Sequence, residues 1–124
     1  MNRVELIAQL AVLKKTYADT GETMKTLVAH FQAALDNREL AHVEEDGQVV
    51  AFCDWSWIES QEDVHLVNNG EHTYGPILHI INLVSSSPKY LWRLRGMLPK
   101  HQWISGERNG VFHAPKGLPQ QVEA

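Results

Sequence analysis

Apolar residues in the first 35 positions recur at intervals of three and four. Val4, Ile7, Leu10, Leu13 and Tyr17 share one helical face over residues 3 to 17, and Ala8 and Ala11 add helix propensity. Asp19-Thr20-Gly21 breaks the pattern. Thr20 is the expected N-cap of a second helix, with Glu22 near the positive end of its dipole. That helix is expected over residues 22 to 35, with Met24, Leu27, Val28, Phe31 and Leu35 as its stripe and Asp36-Asn37 as its end. His30 is expected to be a surface or boundary residue.

From Leu40 the period changes to two. Residues 40 to 44 read as a strand, and Glu45-Asp46-Gly47 as a hairpin turn, because Asp-Gly supplies the positive φ that a tight turn needs. Residues 48 to 59 read as a long strand. Val49, Ala51, Cys53, Trp55 and Trp57 point one way; Val50, Phe52, Asp54, Ser56 and Ile58 point the other. Both sides are apolar near Val49 to Phe52, which places this strand inside its sheet. Residues 60 to 75 are polar and read as a long loop, with weak strand character at Val64 to Val67. Residues 76 to 84 form the most hydrophobic strand. A Ser-Pro start then opens a third helix that ends at Pro99. Residues 103 to 105 and 111 to 113 read as two short strands around a Glu107-Arg108-Asn109-Gly110 turn. No internal repeat or low-complexity segment interrupts the chain.

The expected class is therefore α+β: two N-terminal helices, a central and mostly antiparallel sheet, and one helix after the central strand. The 124 residues fit one domain over residues 1 to 114, followed by a loose tail over residues 115 to 124. Composition adds exclusions. A formal net charge of -4 and a pI near 5.9 argue against general nucleic-acid binding. No apolar run approaches the roughly 20 residues that span a bilayer, so no membrane partner is expected. One cysteine forbids an internal disulfide and fits a reducing, cytoplasmic setting.

Seven histidines invite a metal reading, but none lies in His-x-x-x-His spacing or beside a cysteine pair, so no metal is expected. Ser85, Ser86, Ser87 and Lys89 stand where a strand meets a helix start, a place suited to an anion. Their plainer reading is one N-cap among loop serines. His79 lies inside the most apolar strand, and its plainer reading is a hydrogen-bonded core histidine. Tyr90 is a candidate acid or a packing residue. Trp55 is expected in the core, and Trp57 either there or at a cleft. Cys53 is expected to be a small buried hydrophobe. Lys89, Arg93, Arg95, Lys100 and Arg108 make a basic surface, either solvated or docking an acidic partner.

The order of elements resembles the GNAT acyltransferase superfamily. The segments that carry the likeness are Val43-Glu44-Glu45-Asp46-Gly47-Gln48-Val49-Val50-Ala51-Phe52 for the hairpin and residues 80 to 88 for the central strand and its turn. Val49 to Ser56 is also loosely similar to the toxin-activating lysine acyltransferases, and there is a looser likeness to GNAT-like phage proteins. The resemblance spans about residues 20 to 114. It implies acetyl-CoA as the cofactor, with its pyrophosphate at Ser85, Ser86, Ser87 and Lys89. It further implies a base at His79 (Asp54 or Glu59 as alternatives) and Tyr90 as the acid that protonates the leaving thiolate. The activity implied is acyl transfer from CoA to an amine. The phosphate loop departs from the family pattern: Ser85-Ser86-Ser87-Pro88-Lys89-Tyr90 has no glycine. That departure favours a second expectation, an inactive GNAT-like binding or structural module of a phage or viral assembly, with a protein partner or a homo-oligomer.

Overall fold

A computed structural model describes residues 1–108 and 111–115. The elements run α1 (Arg3–Tyr17), α2 (Met24–Asp36), β1 (Leu40–Glu45), β2 (Gln48–Ile58), α3 (Asp63–Asn68), β3 (Ile77–Ser85), a 3-10 turn (Pro88–Tyr90), α4 (Leu91–Met97), β4 (Trp103–Arg108) and β5 (Val111–His113). The strands are ordered β1-β2-β3-β4-β5. β1 and β2 are antiparallel, as are β4 and β5, while β3 and β4 are parallel over Ile77↔Trp103 to Ile80↔Gly106. The mixed α+β class and the mostly antiparallel sheet are those expected from the sequence. The chain divides into two compact units, residues 1–55 with 82–99, and residues 56–81 with the described part of 100–124.

In the first unit α1 begins at Asn2, whose side chain accepts the Glu5 N–H at 2.9 Å. Its buried face is Ile7, Leu10, Ala11, Leu13 and Lys14. Val4 and Tyr17, the second and last residues of the helix, are exposed instead. α2 is capped by Thr23, which accepts the Thr26 N–H at 3.1 Å, and not by Thr20. Thr20 is occupied elsewhere: its hydroxyl accepts from Lys14 Nζ at 3.1 Å and donates to Glu22. Leu27, Phe31 and Ala34 face inward; Met24 and Val28 stay exposed.

These helices close a core with Val49 and Phe52 of β2 and Val84 of β3. Phe31 meets Phe52 edge to face, with centroids 5.2 Å apart at 87°. Burying each ring contributes roughly 1.5–3 kcal/mol, and the edge contact adds about 1 kcal/mol. The β1–β2 hairpin turns on Asp46 (φ 51) and Gly47 (φ 76), the two positive-φ positions of a type I′ turn. Its register shifts between Val43 and Glu44.

The second unit packs Ile58, Val64 and Ile77 with Val67, Trp103 and Phe112. Residues 63–68 are helical, which corrects the expected strand character at Val64 to Val67. Val64 and Val67 are one helical turn apart, and Asp63 takes the Glu59 N–H on its carboxylate at 2.8 Å. Before β3, Gly75 (φ 155) passes against β2. A Cβ there would lie 2.1 Å from the Ile58 carbonyl oxygen, so only glycine fits. Most of the expected tail, and Asn109 and Gly110 of the expected last turn, lie outside the described residues.

Candidate functional site

The turn after β3 is held by its own hydrogen bonds. Ser85 Oγ donates to the Ser87 carbonyl at 2.5 Å and accepts the Ser87 N–H at 3.3 Å. The Ser86 N–H donates to Val50 O at 2.9 Å, continuing the β2–β3 pairing, and the Tyr90 N–H donates to Ser87 O at 3.2 Å. Pro88 has no N–H to give. The expected serine cap is thus corrected: Ser87 occupies the cap position with Pro88 after it, but its hydroxyl caps nothing, and Ser85 ties the turn instead. The side chains of Ser86 and Lys89 are exposed. The Lys89 ammonium lies over the Tyr90 ring at 5.0 Å, and the tyrosine itself is buried. An anion at this turn would meet side-chain donors more than a cradle of backbone amides.

The basic residues of α4 are individually engaged. Arg93 bonds Glu45 at 2.5 Å, and Arg95 stacks over the ring of Trp92 at 5.7 Å, a residue that is 75% exposed. Lys100 is exposed.

His79 belongs to the second unit. It is 3% exposed. Its Nδ1 lies 3.0 Å from Ser105 Oγ, its partner in the parallel register, and its ring stacks on Phe112 at 5.9 Å. Burial pushes its pKa below the usual imidazole value, against an opposing pull from Glu107. His79 is therefore a neutral core histidine. Glu59, the other carboxylate considered as a base, is exposed beyond the end of β2.

Asp54 is the polar residue that the fold makes most of. It lies in β2, fully buried. Its Oδ2 is 2.6 Å from His30 Nε2. Its Oδ1 accepts the Asn82 backbone N–H at 2.9 Å, and Asn82 Nδ2 reaches both oxygens at 3.1 and 3.2 Å. An isolated buried carboxylate is costly, and these donors from α2 and β3 offset that cost. The pairing of His30 with Asp54 goes beyond the surface or boundary position expected of His30. The available signal was a charged residue at Asp54 in a strand apolar on both sides, which demands a partner.

His30 is partly open to solvent, with 32% of its side chain exposed against 0% for Asp54. Burial works against its charge, but the hydrogen bond and the charge of Asp54 outweigh it. Lys14 lowers the value slightly and Glu22 raises it, leaving the His30 pKa above the usual imidazole value. Lys14 is itself a buried cation, bonded to Ala18 O at 2.8 Å and 3.7 Å from Glu22. Next to Asp54, Cys53 is buried, and burial with the aspartate charge pushes its thiol up to about 12, so it is no nucleophile at neutral pH. Trp55 is core, as expected, with its indole N–H buried and without a hydrogen-bond partner. Among the described residues no group of three or more His, Cys, Asp or Glu is placed to hold a metal, and no helix is long and apolar enough to cross a membrane.

No protein-family model matches the sequence, and no curated protein matches it. A search of solved structures does find a match: GphF, a GNAT-like decarboxylase in complex with isobutyryl-CoA. The TM-score is 0.62 at 15% identity, covering 85% of this chain. The chain spans 62% of the length of that one. At this identity the likeness is one of architecture, and it agrees with the element order read from residues 20 to 114: the chain has a GNAT-like fold.

Proposed function

We propose that this chain binds an acyl-CoA thioester as substrate and transfers its acyl group to an amine. The observation that carries the reading is the GNAT-like fold shared with a protein complexed to isobutyryl-CoA. The same fold in that protein serves a decarboxylase, so the fold supports the acyl-CoA ligand more directly than the transfer. The central strand β3 leads into the Ser85–Tyr90 turn, where the resemblance puts the pyrophosphate.

The residues at the turn fit a phosphate held by side chains. Ser86 and Lys89 are exposed there and supply a hydroxyl and an ammonium. The amides of Ser86, Ser87 and Tyr90 are already bonded within the protein, so Lys89 carries more of the anion's charge than in a glycine-rich loop. His79 and Tyr90, assigned by the resemblance as base and acid, are both buried, so the reading rests on ligand binding and not on these two side chains. A cytoplasmic setting fits the single unpaired Cys53.

A second reading is a GNAT-like binding module without catalysis. The committed amides of the turn favour it. One experiment separates the two: the melting temperature of the full chain with and without millimolar acetyl-CoA, for the natural sequence and for the Ser86→Ala, Lys89→Glu double variant. A ligand at 100 times its dissociation constant stabilises by about 2.7 kcal/mol, several degrees for a domain of this size. A shift that is lost in the double variant supports the first reading. No shift in the natural sequence removes it and leaves the binding module.

A further inference from the structure

We propose that His30 is the proton acceptor for the attacking amine, and that Asp54 and Asn82 are the residues that position it. The inference rests on the acyl-transfer reading and adds the group that would make the amine a nucleophile.

Geometry carries the argument. His30 Nε2 lies 2.6 Å from Asp54 Oδ2. A carboxylate only accepts, so Nε2 carries the hydrogen and Nδ1 is left as the basic nitrogen. Asp54 cannot swing away, because the Asn82 N–H at 2.9 Å and its Nδ2 at 3.1 and 3.2 Å hold both oxygens. The ring also meets Phe31 edge to face, with centroids 5.3 Å apart. A base held by an orienting carboxylate, which is held in turn by a third group, is the arrangement that proton transfer needs. The two ends of the pair differ: Asp54 is fully buried, whereas a third of the His30 side chain meets solvent. A pair that served packing alone would have no need of an open imidazole. Asn82 lies three residues before Ser85 on β3, about 10 Å along the strand. The positioning network therefore hangs from the strand that leads to the proposed phosphate seat.

The charged groups facing His30 are Asp54 from β2, Lys14 from α1 and Glu22 from the α1–α2 connection. Asp54 dominates the two carboxylates and strengthens His30 as a base, while Lys14 opposes it. In the reaction the amine nitrogen attacks the thioester carbonyl carbon and its proton passes to His30 Nδ1. The C–N bond forms, the C–S bond breaks, and the electron pair leaves on sulfur. The thiolate takes up one proton and His30 returns to neutral, so amide and free thiol are the products.

The test uses the full chain, natural and as the His30→Gln and Asp54→Asn variants. Calorimetry measures acetyl-CoA binding, thiol release measures transfer to glycinamide, and NMR follows the His30 imidazole. The expected result is equal binding in the natural chain and His30→Gln, with glycinamide-dependent release at least 100-fold slower in the variant. In the natural chain NMR should find His30 as the Nε2–H tautomer with a midpoint above 6.5, the ordinary value. In Asp54→Asn the midpoint, and with it the acid limb of the rate profile, should move to lower pH. Intact binding with an undiminished rate in His30→Gln overturns this inference alone. An Nδ1–H tautomer, or binding with no glycinamide-dependent release in the natural chain, also overturns it. Absence of acetyl-CoA binding in the natural chain overturns the acyl-CoA reading and this inference together.

Discussion

The two units each hold a histidine against a neighbouring strand, and the two are built to opposite effect. His79 is sealed between Ser105 and Phe112, with a hydroxyl as its partner, and burial holds it neutral. His30 leans out from α2 onto a buried carboxylate, and Asp54 holds its proton more tightly than water would. His30 meets Asp54 at 2.6 Å and His79 meets Ser105 at 3.0 Å. The difference lies in the partner's charge and in which end of the pair reaches solvent. A neutral histidine in a dry strand is a packing residue with a hydrogen bond; a partly exposed histidine with an anchored carboxylate behind it can exchange protons.

Substitution separates the two histidines. Asp54→Ala should be the most damaging change, because it strands His30 Nε2–H and the Asn82 donors together. Breaking a buried pair of this kind costs about 3–5 kcal/mol, which would lower the melting temperature by roughly 10 °C or more. His79→Leu removes one neutral bond and leaves the Ser105 hydroxyl unpaired, at about 1–3 kcal/mol. Thermal melts of the two variants give the ranking directly, and a larger loss in His79→Leu than in Asp54→Ala would reverse the assignment of roles. Asn82→Ala should cost about 1–2 kcal/mol, since His30 still faces Asp54 and the backbone N–H of residue 82 still donates to it.

The smallest effect is also the most discriminating, because its sign differs between the two residues. His30 has a raised pKa when folded, so its contribution to stability is fully present below about 6.5 and is lost as pH rises through the folded value. His79 has a lowered pKa, so it favours the fold at neutral pH, and that contribution declines as pH falls through 6.5. Melting temperatures measured from pH 5 to 9 should therefore lose their alkaline decline in His30→Gln and their acidic decline in His79→Leu. The same decline in both variants would mean that the two histidines do not differ.

The sequence made the architecture legible because its periods are local. α1, the Asp46-Gly47 hairpin, the two-sided β2 and the apolar β3 are each written in a few consecutive residues. Errors fell where a competing partner decided the outcome. Thr20 has the chemistry of a cap, but Lys14 and Glu22 claim its hydroxyl, and Thr23 caps α2. Ser87 precedes a proline as a cap should, yet Ser85 takes over the turn. The site was harder to see for the same reason. Ser85 to Lys89 are contiguous and legible as a group. His30, Asp54 and Asn82 are 24 and 28 positions apart, and only the sheet and α2 bring them together. A lone aspartate in an apolar strand signals that a partner exists without saying which residue it is.

Acyl-CoA binding by this GNAT-like fold is tested most directly by calorimetric titration of the full chain with isobutyryl-CoA, with free isobutyrate as the control. Saturable binding in the micromolar range, absent for isobutyrate and weakened at least tenfold by Lys89→Glu, is the result expected. No heat at millimolar isobutyryl-CoA, with the melting temperature unchanged, would contradict the claim.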